Sequence, residues 1–432
     1  MQTARAREGA MTSIEEEFEE ATKYQLRDDD IEAAKALVGI DTANRAREHL
    51  TTATPDGIRN FARGVGDDNP LWNDEHYGPA TRWGSQIAPP SMTTILNAPM
   101  QGDRMAKDLR RPTFRGIHVF VSGGSSDWYL PVYPGDTLYS FNGLESVEVK
   151  QSEFAETSVI QVLRSVKINQ RGEVVAILRT IAIYAERRTA RERGKYAEIT
   201  PARYTDHELA EIDAVYAAEE PRGGVTRWWE DVTVGEELPR MAKGPLTQTE
   251  MIVFHAGGYG FVPYAPSASR LGYKNRQRIP KFYVKNEYGI PDVAQRVHWD
   301  SAWAQAIGNP MAYDYGVLRE CWLTHYLTDW MGDEGWLMHQ GDEVRKFNYI
   351  GDTQIITGEV TGKREESGQH LVDVEFRATS QRGVVTARGS SVIALPSRAA
   401  GPVLMPVPDD SVRRKATQMF TRHRELVSDR PH

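Results

Sequence analysis

A single cysteine, Cys321, stands among the 432 residues, so no disulfide can form within the chain and a reducing compartment is expected. No apolar run reaches the roughly 18 residues that a membrane-spanning helix needs, and Met1 to Gly9 lacks the apolar centre of a secretory signal. The expectation is a cytoplasmic protein with no membrane partner. Basic residues are also in deficit, 52 Lys and Arg against 60 Asp and Glu, for a net charge of −8. A nucleic acid is thereby excluded as the main partner, because neutralising phosphates takes a basic face; a local cationic patch for one phosphorylated small ligand stays open. The sequence contains no HExxH, CxxC or GxSxG. Its one glycine-rich candidate for a phosphate loop, Ser122-Gly123-Gly124-Ser125-Ser126, runs into Asp127-Trp128 with neither a P-loop lysine nor a Rossmann spacing.

What is present is the composition of a folded globular protein, 40% hydrophobic with ten Trp and eighteen Tyr. Single cores stop growing at roughly 250 to 300 residues, so two or three domains are expected. Residues 1–47 read as an N-terminal helical extension, with an acidic run from Glu15 to Glu20 and then acids ahead of apolar positions from Asp28, as at a helix start. Residues 187–227 turn polar, hold a short helical pattern at Asp206 to Ala218, and read as a surface linker. They separate two units of similar size, 48–186 and 228–396, and residues 397–432 form a tail.

The two units repeat a pattern. In the first, Pro134-Gly135-Asp136-Thr137-Leu138 opens alternating strands that reach Asn169-Gln170-Arg171-Gly172 and a last strand, Ala176 to Tyr184. In the second, Ile350-Gly351-Asp352-Thr353-Gln354 leads to Ser380-Gln381-Arg382-Gly383 and the strand Thr386 to Leu395. From Asp136 to Arg171 is 35 residues and from Asp352 to Arg382 is 30, which points to duplication. Gly-Asp reads as a turn and Gln-Arg-Gly as a hairpin. Helix-like sequence lies upstream of each meander, at Ser91 to Ala98 and at Gly316 to Trp330. One helix against an antiparallel meander is an α+β unit, and two side by side would form one continuous curved sheet.

The stretch Phe61-Ala62-Arg63-Gly64-Val65-Gly66-Asp67-Asp68-Asn69-Pro70-Leu71-Trp72 reads in backbone terms as a helix end followed by an Asx-Pro turn. It also resembles the signature of the MaoC-like (R)-specific enoyl-CoA hydratases, Gly-Asp-x-Asn-Pro-aliphatic-His, with Trp72 where the histidine belongs. The second unit keeps the other part of the signature: Val297-His298-Trp299-Asp300 with Ala304 reproduces aliphatic-His-x-Asp and the small residue six positions on. There Phe254-His255-Ala256-Gly257-Gly258-Tyr259-Gly260 occupies the start of the motif, an insertion from Phe261 to Arg296 follows, and Asp292 is the nearby carboxylate. Gly308-Asn309-Pro310-Met311-Ala312 with Tyr315-Gly316, and Trp83-Gly84 to Pro90 in the first unit, look like the family's approach to its central helix.

The resemblance implies a double hotdog fold, α+β, of two tandem MaoC-like units, the first a degenerate copy. It implies a hydro-lyase, an enoyl-CoA hydratase or 3-hydroxyacyl-CoA dehydratase, acting on an acyl-CoA with no metal or redox cofactor. An ionised Asp and a neutral His sharing one water are suited to hydration, and backbone N–H groups at a helix start suit the enolate-like oxygen. The implied catalytic residues are His298, Asp67, Asn69 and Asp292, with Gly316 and, by symmetry, Gly84 at the oxyanion. The carboxy-terminal unit is the expected active one. The insertion, rich in Tyr, Lys and Arg, would enlarge or cap an acyl tunnel for a bulky group and face CoA phosphates. Two other functions fit the same residues: a non-catalytic acyl-thioester binder or supporting subunit of a hetero-oligomer, and a hotdog thioesterase. A homodimer or hetero-oligomer is expected. Cys321, His325 and Asp329 recur at i, i+4 and i+8, which suits a metal-binding helix face or, with Trp322, Leu323 and Tyr326 between them, a packed core helix. His255 reads as a core or capping histidine.

Overall fold

A computed structural model describes residues 26–110, 112, 114, 117–151, 157–185, 199–260, 269–307 and 309–429. The acidic run Glu15–Glu20, the segment Arg187–Arg193, Gly308 and the start of the 261–296 insertion lie outside the described residues. The first half supplies β1 (Thr42–Ala43), β2 (His118–Trp128), β3 (Tyr139–Gln151), β4 (Thr157–Ile168) and β5 (Val174–Ala185). The second supplies β6 (Glu237–Lys243), a small hairpin of β7 (Tyr283–Lys285) and β8 (Pro291–Val293), then β9 (Trp336–Val344), β10 (Gln354–Glu366), β11 (Gln369–Ser380) and β12 (Val385–Ala394). The helices are α1 (Asp28–Lys35), α2 (Pro55–Val65), α3 (Pro70–Asn73), α4 (Asp206–Ala218), α5 (Gln248–Phe254), α6 (Arg270–Arg278), α7 (Ser301–Ala306), α8 (Gly316–Met331) and α9 (Asp410–Ser428).

Ten strands form one antiparallel sheet in the order β1-β3-β4-β5-β2-β9-β12-β11-β10-β6. Read outward from the β2–β9 seam, both halves follow the same path, which is the duplication seen in the sequence. Its recurring residues have a structural job. Asp136 accepts from Gln170 Nε2 (2.8 Å) and pairs with Arg171, while Asp352 accepts from Gln381 Nε2 (2.7 Å) and Arg382 Nη2 (2.8 Å). In each half the glutamine oxygen in turn accepts the next backbone N–H, from Thr137 or Thr353. The Gly-Asp turn and the Gln-Arg-Gly hairpin are therefore pinned together twice by one device. At the seam, β2 carries a bulge between Val121 and Gly124. Gly123 sits there at φ +116°, where a Cβ would lie 2.1 Å from the Asp342 carbonyl oxygen, so this glycine-rich stretch serves strand pairing.

The halves differ in their helices. In the second, α8 runs for 16 residues with Leu318, Cys321, Trp322, Leu323, Tyr326 and Leu327 among its buried positions, wrapped by the sheet. A helix apolar on most faces is a core helix. The first half was expected to form one at Ser91 to Ala98, and only a single 3₁₀ turn, Pro90–Thr94, is present. Thr93 and Thr94 turn their hydroxyls back to the carbonyls of Pro90 (2.7 Å) and Ser91 (2.8 Å), and Pro99 follows closely, so the sequence favours a short turn. The tail returns to the first half: Ala416 and Phe420 of α9 pack with Met100, Phe141 and Ile168. Residues Thr42 and Ala43 of the N-terminal extension join the sheet as its edge strand.

Candidate functional site

Helix α2 begins at Thr54, whose hydroxyl accepts from Gly57 N, with Pro55 at its first position, and ends on Gly66 at φ +77°. Its counterpart, α5, begins with a capping box of Thr247 and Glu250 and runs through a π-turn, His255–Tyr259, to Gly260 at φ +74°. The two cross at Gly64 and Gly257, where a Cβ on Gly257 would stand 2.8 Å from Gly64 Cα. After the terminal glycine the chain continues with Asp67 in one half and Phe261 in the other, so the second half has no aspartate at this point. The two motif copies thus pack back to back, and Asp67 of the first and His298 of the second lie toward opposite ends of α8.

At the first end, Asp67 and Asn69 form the Asx-Pro turn: Asp67 Oδ1 accepts from Asn69 N (3.1 Å) and Asn69 Oδ1 from Leu71 N (2.9 Å). Asp67 is buried 3.7 Å from His325 Nε2, which lies 3.2 Å from Asp329, while Lys243 Nζ reaches His325 Nδ1 at 2.8 Å. Burial raises the Asp67 and Asp329 carboxyls to about 6 and about 7 and pushes the His325 imidazole down to about 4. Burial likewise holds Lys243 below the usual lysine range. Asp67, His325 and Asp329 place one donor atom each within 4.8 Å, a set that could geometrically hold a metal ion. Lys243 already reaches into this cluster with its amine beside the His325 ring. Cys321 does not join it; burial raises its thiol pKa and it sits in the core. Nearby, Trp72, Trp83, Trp128 and Trp336 crowd the space beside Asn69 and leave about 20 Å³.

At the other end, His298 lines a cleft of about 1020 Å³ together with Tyr259, Tyr313, Tyr315, Gly316 and Glu320. Its Nδ1 lies 2.9 Å from the Tyr313 carbonyl oxygen, which can only accept, so the neutral ring donates from Nδ1 and keeps its lone pair on Nε2. Burial lowers this histidine to about 4. The ring stacks on Tyr315 at 3.8 Å between centroids. Tyr315 OH donates to His255 Nε2 (2.9 Å), and His255 Nδ1 donates to the Gly260 carbonyl (2.5 Å), so His255 positions the tyrosine. Burial raises the Tyr259 phenol to about 12, which keeps it protonated at neutral pH.

Gly316 is the first residue of α8, and Tyr315, its N-cap, offers no side-chain cap. The backbone N–H groups of a first helical turn have no partner within the helix, and the helix dipole favours negative charge there. Gly316 and Val317 both line the cleft. This end of α8 is fixed by a buried ion pair: Arg319 clasps Asp314, with Nε to Oδ2 at 2.9 Å, and reaches the Lys346 carbonyl at 2.7 Å. The opposite wall is the first-half sheet, left open because that half has only a 3₁₀ turn. Val119, Val121 and Leu163 there are 47%, 46% and 38% exposed.

Two expected placements, those of Asp292 and Gly84, are corrected. Asp67 and Asn69 lie apart from His298, since Tyr315, the N-cap beside His298, and His325 beside Asp67 are ten residues apart along one helix, about 15 Å along its axis. Asp292 stands in the β7–β8 hairpin, bonded to Asn286 and to its own neighbour Val293 N, and does not line the cleft. Gly84 lies at φ +63° in a turn with no helix starting there, because the first half's helix shrank. Gly316 does open its helix. Glu320, Tyr259 and Lys243 were not singled out from sequence; an acid four residues after Gly316 on a core helix was the available signal for the first.

Residues 36–178 match the family described as "FAS1-like, dehydratase domain region". Among proteins of curated function, none matches the sequence. Among solved structures, a MaoC-like dehydratase is 15% identical, covering 84% of this chain and 99% of its own, with a TM-score of 0.55. A MaoC domain dehydratase from Chloroflexus aurantiacus J-10-fl is 12% identical over 84% of this chain and 96% of its own, TM-score 0.49. A Mycobacterium tuberculosis protein described as a double hotdog fold is 10% identical over 83% and 96%, TM-score 0.45. Residues 36–178 thus resemble a FAS1-like dehydratase region, and the chain shares the hotdog-type fold of a MaoC-like dehydratase.

Proposed function

We propose that the chain is a hydro-lyase for acyl thioesters, adding water to a 2-enoyl-CoA or removing it from the 3-hydroxyacyl-CoA, in the His298 cleft. The observation that carries this reading is a neutral imidazole with a free lone pair on Nε2 in the same cleft as the uncapped start of α8. His298 takes a proton from water as it attacks C3, and the charge that gathers on the thioester oxygen is met by the N–H groups of Gly316 and Val317. The apolar wall of Val119, Val121 and Leu163 and a volume of about 1020 Å³ suit a bulky acyl group. Arg345 and Lys346 at the cleft supply cations for the phosphates of CoA.

The test mixes the purified protein with short and bulky 2-enoyl-CoAs and follows both the conjugated enoyl absorbance and free thiol. Loss of absorbance without thiol release is the expected result. Thiol release would instead identify a thioesterase, and saturable binding without turnover would identify an acyl-thioester binder.

A further inference from the structure

We infer that Glu320 is the proton donor of this site, its carboxyl delivering the proton that C2 receives when water adds at C3. The inference rests on the hydro-lyase reading above. The second half has no motif aspartate, and the cleft's remaining carboxyl groups, Glu48, Asp314 and Glu320, must be asked what they do; Glu48 comes from the first half and faces Lys167 and Tyr259. Asp314 is committed to Arg319 and also accepts from Asn348 Nδ2 (3.0 Å). Glu320 is different: half-buried, lining the cleft with His298 and Gly316, its carboxyl makes no hydrogen bond to a described residue.

Its place on α8 aims it at the reaction. Residues four apart share a helix face, and helical side chains lean toward the N-terminus, so Glu320 leans over Gly316. Glycine there leaves the space clear; a Cβ at 316 would meet only Val121 Cγ1, at 4.0 Å. The titratable and charged groups that face Glu320 are Asp342 from β9, and Arg319 and Cys321 from α8 itself. Burial and the Asp342 carboxylate hold the Glu320 carboxyl well above the usual range, against the opposing pull of Arg319. Asp342, also buried but accepting from Gln340 Nε2, rises to about 6. The Asp342 charge disfavours ionisation of Glu320, so the proton is favoured on Glu320.

The step balances without another reactant. His298 Nε2 takes one proton from water, whose oxygen bonds to C3. The C2=C3 pair moves toward C1 and loads the thioester oxygen, and on collapse of that enolate C2 takes the Glu320 proton. The imidazolium then returns its proton to the Glu320 carboxylate through water, restoring both groups. Asp342 is a positioning residue, keeping the donor protonated.

The full-length protein is tested as the native chain and as Glu320→Gln, Glu320→Asp and Asp342→Asn, with 2-enoyl-CoA turnover measured against pH. Glu320→Gln is expected to lower kcat by about 10²-fold or more with KM little changed, and Glu320→Asp to restore part of it. Asp342→Asn removes the charge that raises the donor's pKa, so the alkaline limb of the profile moves to lower pH. Native turnover in Glu320→Gln, or an alkaline limb unmoved in Asp342→Asn, overturns the inference while leaving the hydro-lyase reading intact. No turnover in the native chain overturns that reading itself. If Glu320→Gln does not fold, the Asp342→Asn profile decides.

Discussion

The two ends of α8 present the same duplicated motif in opposite conditions. Beside Asp67, four tryptophans leave about 20 Å³, and the polar groups are tied into a cluster with Lys243. Beside His298, a cleft of about 1020 Å³ reaches an uncapped helix start. The contrast originates in one lost helix. Where the first half makes a 3₁₀ turn, its sheet face stays open to form the second half's cleft, and its own site closes on aromatic side chains. Duplication therefore let one copy become the wall of the other.

The largest effect that would break this comparison is on turnover. His298→Ala is expected to lower kcat/KM by about 10²- to 10⁴-fold, while Trp72→His, which restores the family's histidine in the first half, leaves it unchanged. Comparable turnover losses in both would make the halves equal partners. Next is the anchor of the open site: Asp314→Ala leaves Arg319 buried and unpaired, and chemical denaturation should show a loss of about 3–5 kcal/mol. Gly257→Ala drives a methyl group into Gly64 at the crossing of the two motif copies, and should cost about 1–3 kcal/mol in the same assay.

Two pH measurements sharpen the contrast further. His298 titrates at about 4, so the acid limb of kcat/KM should lie near pH 4, well below an ordinary imidazole; a limb near 6.5 would exclude this group as the base. Asp67 is raised in the folded state to about 6, so its ionised form lowers stability above that pH, and stability returns as pH falls through 6. Asp67→Asn should therefore melt higher than the native protein at pH 7.5, with the gap narrowing toward pH 5. Its effect on turnover should be small. A gap that widens would mean that the carboxylate is stabilised by Lys243 more than burial disfavours it.

Much of the fold was legible because it rests on local rules. Alternating strands, the Gly-Asp and Gln-Arg-Gly turns, the capped helix at Asp206–Ala218 and the apolar periodicity of Gly316–Met331 are each written in a short window. The spacing of the repeats also revealed the duplication, and the structure supplied its reason in Asp136 with Gln170 and Asp352 with Gln381. The helix expected at Ser91–Ala98 failed because apolar periodicity competes there with threonine back-bonding and flanking prolines.

The site was legible only in part. Sequence singled out Asp67, Asn69, His298 and Gly316, because their neighbours along the chain form a motif. It could not say that Asp67 meets His325, Asp329 and Lys243, since those contacts span up to 262 positions in the chain. Nor could it separate Asp292 from His298, or show Glu320 entering the cleft. Linear order fixed the residue types and the local elements; burial and the distance between the ends of one helix were settled by how the two halves close around it. Charge state follows burial, and burial belongs to the tertiary fold: the same histidine that would titrate near 6.5 in an open chain titrates at about 4 beside Tyr313 and Tyr315.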